Sequence, residues 1–299
     1  MRAATEGLAR SVHTRLIRHA KEVGLDPTLV LARYGIERFL YRLSVSPHRD
    51  RFILKGALLL MAWLGETLRS TRDADLLGSG DLSEEALVRL FQEVCRQPVP
   101  PDGMTYDADS VSVRNIGEGD NYGGKRITLT AHLGAGLIRV QVDVGIGDVV
   151  EPQPEEMDYP VILDFPHPHL RAYPPEVVVA EKLQAMVRLG AENTRMKDFF
   201  DIYALSERHD FRGDRLTSAV QATFGRRGTP LPDTLPLALT PGFATEEKER
   251  QWRAFLGKGR LAAPDSLTTV IQHLAAFLGP VLTDGGTSRR RWPAAGQWM

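Results

Sequence analysis

The sequence predicts an α+β fold: a small mixed β-sheet with helices on one face, preceded by N-terminal helices and followed by a helical C-terminal region. Three observations predict it. Apolar residues recur at helical spacing over 5–45, period-two alternation with Gly-rich turns follows over 52–164, and helical spacing returns over 174–282. The expected divisions are 1–48, 49–170 and 171–282, with 283–299 as a disordered tail that has little to pack.

The N-terminal helices rest on Leu8, Val12, Leu16 and Ala20 at four-residue spacing, with Arg10, Arg15, Arg18 and Lys21 mostly off that stripe. Asp26-Pro27 suits an N-cap followed by proline at the first helical position. The second helix carries Leu29, Leu31, Tyr34, Ile36, Phe39 and Leu40. The middle region reads as a buried strand over 52–54, a helix over 57–64 entered through Lys55-Gly56, a strand over 73–77 and a helix over 83–96. Strands over 106–116, 125–133 and 137–146 follow, separated by turns at 117–124 and 134–136. Beyond these, helices are expected over 174–189, 196–207, 216–224, 245–256 and 266–278, with a Pro/Gly-rich loop over 226–243. No internal repeat is present.

The 299 residues are 42% hydrophobic and 25% charged, which excludes collagen, coiled coil and a wholly disordered chain. No apolar run reaches the ~18 residues of a membrane span, and the start lacks the apolar stretch of a secretory signal. A cytoplasmic location without membrane contact is therefore expected. Cys95 is alone, so neither an internal disulfide nor a cysteine-based zinc site is expected. The net charge of −1 hides a pattern. Residues 1–72 hold 13 Lys/Arg against 6 Asp/Glu, residues 73–181 hold 7 against 20, and residues 182–299 hold 17 against 12. An acidic middle between basic flanks suits a cation site within a frame that attracts polyanions, or it is ordinary solvated surface.

Asp73 and Asp75 lie two apart in a predicted strand, so both point to one face while Ala74 and Leu76 point to the other. Two neighbouring carboxylates repel, and a hard cation such as Mg²⁺ relieves them. The other reading is a solvated pair at a strand end. Asp143 stands mid-strand on the face opposite Val140, Val142 and Val144. It either reaches the same cation or pairs with Arg139 or a nearby lysine. Gly56 before a helix offers free backbone N–H groups to a phosphate.

The stretches Phe52-Ile-Leu-Lys-Gly-Ala57, Arg69-Ser-Thr-Arg-Asp-Ala-Asp-Leu-Leu77 and Val142-Asp-Val144 resemble the nucleotidyltransferase fold of the DNA polymerase β superfamily. With Ala180-Glu-Lys-Leu183 and Arg195-Met-Lys-Asp-Phe-Phe-Asp-Ile-Tyr203, the chain is most similar to the AbiEii/AbiGii-type nucleotidyltransferase toxins of bacterial toxin–antitoxin systems. The similarity covers roughly residues 10–210. It implies Gly56, with Lys55 before it, as the nucleotide-binding turn. Ala57 stands where relatives often carry Ser, Thr or a second Gly, so backbone amides must serve there. The resemblance further implies Asp73 and Asp75 as the metal-binding pair, Asp143 as a third metal carboxylate, Lys182 as a phosphate-holding lysine and Asp198 as a catalytic aspartate with Asp201 beside it. Thr71 sits where some relatives carry a hydroxyl that an antitoxin can phosphorylate. Read without the resemblance, Lys182 is a surface lysine paired with Glu181 or Glu192, and Asp198 and Asp201 pair with Arg195 or Lys182.

The implied chemistry is transfer of a nucleoside monophosphate from an NTP, with Mg²⁺ or Mn²⁺ as cofactor and a cognate antitoxin as protein partner. Several similar toxins modify the 3′ end of tRNA and so block translation, which makes tRNA the expected acceptor. Arg10, Arg15, Arg18, Lys21, Arg226 and Arg227 are candidates to neutralise its phosphates. Two other readings remain at this point: an enzyme of the same fold that adenylylates a protein or small molecule, and a catalytically silent binding module.

Overall fold

The computed structural model describes residues 2–65, 71–116, 123–259, 261–283 and 289–299. Arg69 and Ser70 of the motif above, most of the 117–124 turn and residues 284–288 of the expected tail lie outside the described residues. The chain divides into two compact units. The first comprises 1–62, 70–147 and 155–172, and the second comprises 63–69, 148–154 and 173–299. The N-terminal helices thus belong to the same unit as the sheet and do not form a region apart.

In the first unit, α1 (Arg2–Val23) buries Ala9, Val12, Leu16 and Ala20, a stripe that starts at Ala9 where the spacing predicted Leu8. α2 (Pro27–Ser44) begins as expected, with the Asp26 carboxylate accepting from the Thr28 N–H. β1 (Phe52–Lys55), α3 (Ala57–Leu64), β2 (Asp73–Gly78) and α4 (Glu84–Arg96) follow, α4 being capped by the Ser83 hydroxyl. β3 (Met104–Ile116), β4 (Gly124–Leu133) and β5 (Gly136–Ile146) form an antiparallel meander. Two short strands that the pattern does not announce, β6 (Glu155–Asp158) and β7 (His169–Ala172), complete a seven-stranded mixed sheet. Its order is β3-β4-β5-β2-β1-β7-β6, with β2 parallel to β5 and antiparallel to β1.

One face of this sheet packs on helices. A Cβ on Gly35 of α2 would meet Ile138 and Val140 of β5, and Phe91 of α4 stacks on Phe39 of α2 at 5.6 Å. Phe52, Leu54, Leu76, Val140, Val142 and Val144 are buried there. Their alternate neighbours, Lys55, Asp75, Gln141 and Asp143, therefore face the other way.

Behind the sheet, Glu37 of α2 is 2% exposed beside Arg38, which is fully buried. The two side chains approach to 3.0 Å, Glu37 Oε2 accepts from the Ile162 N–H, and Arg38 donates to the Pro166 carbonyl. Burial outweighs the Arg38 charge and pushes the Glu37 carboxyl up from 4.5 to about 7. Between those values the folded chain holds a proton that the unfolded chain releases. Glu37 therefore contributes stability fully below pH 4.5 and loses it as pH rises through about 7, by ~3 kcal/mol in total. Chemical denaturation of wild type and Glu37→Gln from pH 5 to 8 should show the wild-type advantage shrinking with pH. A difference independent of pH would contradict the assignment.

The second unit holds α5 (Pro175–Leu189), α6 (Met196–Arg208), α7 (Gly213–Arg226), α8 (Glu246–Gly259) and α9 (Leu267–Thr283). The expectation of an unpacked tail fails at its end. β9 (Arg291–Trp292) pairs with β8 (Phe211–Arg212), and Trp292 is 1% exposed against Phe277, His273 and Trp298. Its indole N–H donates to the Ser206 carbonyl, which satisfies the polar end of a buried ring.

Candidate active site

In the first unit the site begins where β1 gives way to α3. Gly56 has φ +75°, and a Cβ built on it would lie 2.0 Å from Asp75 Oδ2. Only glycine meets both demands: a left-handed backbone and a carboxylate pressed against its Cα. Register then carries the pattern across the sheet. Lys55 pairs with Asp75, Asp75 with Asp143, Asp143 with Arg126, and Arg126 with Arg114. Paired residues share a face, so Lys55, Asp75, Asp143, Arg126 and Arg114 form one charged row away from α2. The adjacent row runs Asp73, Gln141, Thr128, Ser112, whose last two hydroxyls are 2.8 Å apart.

Asp143 offers both oxygens to Arg126, at 2.8 Å to Nε and 2.6 Å to Nη2, a two-pronged geometry that holds both side chains. Its partner is thus neither Arg139 nor a lysine. Arg126 was not among the expected site residues. Its signal was the alternation Arg126-Ile-Thr-Leu-Thr-Ala131, which matches the polar face of β5 without saying which residue it opposes. Hydrogen bonding to Asp143 raises the Arg126 pKa, and the charges of Asp73 and Asp75 add to the effect. The Asp73 carboxyl is raised from its ordinary value, first by burial and then by the charge of Asp143. Thr71 Oγ1 donates to the Asp73 carbonyl at 3.2 Å and so shapes the entry to β2.

Among the described residues, no group of three or more His, Cys, Asp or Glu side chains is gathered as a metal cage. Mg²⁺ does not need one, since it is commonly held by one or two carboxylates and completed by water and substrate phosphates. Asp73 and Asp75 supply two hard oxygen donors on one face, and the upward shift of Asp73 marks a place where added positive charge is favourable. The pair fits such an ion. Asp143, with both oxygens on Arg126, does not offer itself in the same way.

The second unit gathers Lys182, Asp198 and Asp201 into a cluster of its own. Lys182 Nζ lies 2.9 Å from Asp198 and 2.7 Å from Asp201, and Arg195 Nε is 2.7 Å from the other Asp198 oxygen. Both pairings open to these aspartates in the sequence are made together. Burial works against the Lys182 charge, but Asp201 and Asp198 outweigh it and hold its pKa above the ordinary value. The two carboxylates are at most 1% exposed, so Lys182→Met leaves buried negative charge short of a partner. Thermal and denaturant melts should show a loss of ~3–5 kcal/mol. An unchanged melt would mean that the ammonium serves a ligand and not the packing.

Several expected phosphate contacts are already engaged, Arg18 among them through Glu22 at 3.8 Å. Arg227 lies 3.2 Å from Asp148 and 3.0 Å from Glu181, and it donates to Gln184. Arg15 pairs with Asp164 at 3.1 Å. Arg10, Lys21 and Arg226 are exposed.

A sequence model of one family, described as the nucleotidyl transferase AbiEii toxin of type IV toxin–antitoxin systems, matches residues 38–278. The chain belongs to the AbiEii family. It is accordingly a nucleotidyltransferase, with an NTP as substrate and an antitoxin as partner. No curated protein matches it. Two solved structures do. JHP933 from Helicobacter pylori has a TM-score of 0.46 at 13% identity, over 89% of this chain and 93% of that one. A second H. pylori protein, provisionally described as a nucleotidyltransferase, has a TM-score of 0.45 at 15% identity, over 86% and 96%. At that distance the AbiEii membership rests on the sequence match. Among the described residues of this AbiEii chain, no helix is long and apolar enough to cross a membrane.

Proposed function

We propose that this AbiEii chain transfers a nucleoside monophosphate from an NTP to the 3′ end of tRNA, in a Mg²⁺-dependent reaction that blocks translation. The observation that carries this reading is the contact of Asp75 with Gly56 at the start of α3. It sets a candidate metal carboxylate against backbone amides that suit a phosphate.

In this reading the amides at the start of α3 and the Lys55 ammonium hold the triphosphate, and Asp73 and Asp75 hold the cation. Bound Mg²⁺ would neutralise charge on the phosphate oxygens. The acceptor hydroxyl forms a bond to the α-phosphorus, the bond from that phosphorus to the β-phosphate bridge breaks, pyrophosphate leaves and the hydroxyl proton passes to solvent. Orienting these groups is the main task of the protein in such a transfer. A phosphate added to Thr71 by an antitoxin would place about two negative charges beside Asp73 and oppose triphosphate binding.

The test is purified protein with Mg²⁺, total tRNA and each labelled NTP in turn. Label should enter tRNA, disappear with EDTA and return with Mg²⁺ or Mn²⁺. Label only on protein or a small molecule would overturn the tRNA acceptor, and full transfer in EDTA would overturn the metal.

A further inference from the structure

The charged row has a direction. Its Lys55 end adjoins Gly56 and the start of α3, the triphosphate side in the reading above, on which this inference rests. In-line displacement requires the acceptor to approach the α-phosphorus from the side opposite the leaving pyrophosphate. Across the row from Lys55, beyond Asp75 and Asp143, stand Arg126 and Arg114. Adjacent strands lie about 4.8 Å apart, so Arg126 is roughly 10 Å from Asp75 along the sheet. The Arg126 side chain is 27% exposed although Asp143 grips it, and Arg114 is exposed.

We propose that Asp143 is a positioning residue rather than a metal ligand, and that Arg126, held by it and continued by Arg114, binds the phosphodiester of a single-stranded RNA acceptor end. The two-pronged grip uses two of the guanidinium's N–H groups and fixes its plane, while the remaining donors can meet a phosphate. A cation fixed in this way loses little rotamer freedom on binding, whereas an unheld surface arginine would lose more. The row also separates the two anionic substrates. Lys55 serves the triphosphate at one end, the arginines serve the strand at the other, and the negative charges of Asp75 and Asp143 lie between them.

The experiment has two arms, and neither reads turnover. In the first, Mn²⁺ binding is measured by electron paramagnetic resonance on nucleotide-free wild type, Asp75→Asn and Asp143→Asn. Mn²⁺ affinity should drop at least tenfold in Asp75→Asn and stay within about twofold of wild type in Asp143→Asn. In the second, binding of a fluorescein-labelled single-stranded RNA oligonucleotide is titrated by anisotropy over a range of KCl concentrations. Arg126→Gln should weaken it about tenfold and reduce the slope of log K against log salt by about 0.7, the share of one phosphate contact on a single strand. Arg114→Gln, exposed and without risk to the fold, should reduce the slope as well. Arg126→Lys should recover part of the affinity, and Asp143→Asn combined with Arg126→Gln should be no weaker than Arg126→Gln alone.

Loss of Mn²⁺ binding in Asp143→Asn overturns the positioning role. Wild-type RNA affinity and slope in both arginine variants overturn the RNA track, even where tRNA labelling by the wild type shows the proposed reaction to be sound. If the wild type neither binds the oligonucleotide nor labels tRNA, the proposed acceptor falls and this inference falls with it.

Discussion

Asp75→Asn is expected to lower nucleotidyl transfer about 1,000-fold with little change in thermal stability. The amide keeps the shape of the carboxylate against Gly56, so the turn into α3 is retained. What it removes is one of two anionic oxygens offered to the cation, together with the charge directly opposite Lys55. Electrostatic groups at a phosphoryl-transfer centre typically account for losses of 10²–10³ when removed singly, and a metal ligand lies at the upper end. Stability should hold because the substitution also relieves repulsion from Asp143, the cross-strand neighbour of Asp75. Initial rates with labelled NTP, alongside a thermal melt, check both halves. Transfer within tenfold of wild type would sink the assignment of Asp75.

Gly56→Ala should damage both stability and transfer. The backbone there sits at φ +75°, which costs an L-residue roughly 1–2 kcal/mol. The added methyl would also coincide with Asp75 Oδ2, 2.0 Å away, so either the carboxylate or the turn must move. A total loss of ~1–3 kcal/mol is expected in denaturant. Transfer should fall at least ~100-fold, because displacement of about an ångström at the reacting centre is enough for that. The two variants separate two roles. Asp75→Asn removes charge and keeps shape, while Gly56→Ala keeps charge and spoils shape. A Gly56→Ala enzyme with wild-type rate would show that the close approach is incidental.

The sequence made local features legible. Asp26-Pro27 and Ser83 mark helix starts through caps formed within three residues of themselves. The parity of Asp73 and Asp75, and of Asp143 against its valines, follows from strand period alone. What stayed hidden depends on partners far along the chain. β6 is Glu155-Glu-Met-Asp158, with no alternation to show, and it exists because β7 offers an edge to pair with. Arg126 became a site residue only once the β4–β5 register set it opposite Asp143, and no property of Arg126 itself encodes that register. The end of the chain looked too short to pack. Trp292 nevertheless finds its cover on α6 and α9, which precede it. The cluster of Lys182, Asp198 and Asp201 was half legible. Helical spacing put the two acids on one face, but their depth, which decides how much a lost partner costs, came from tertiary packing.

The four tryptophans, Trp63, Trp252, Trp292 and Trp298, all fall in the second unit. Trp63 closes α3 at the division while the other three lie well inside the second unit, so intrinsic indole emission reports mainly on that unit, and none of the four stands on the seven-stranded sheet or in its charged row. Far-ultraviolet circular dichroism sees both units. Recording the two signals on a single sample during heating shows whether the halves of the chain melt together or in sequence, with no label attached.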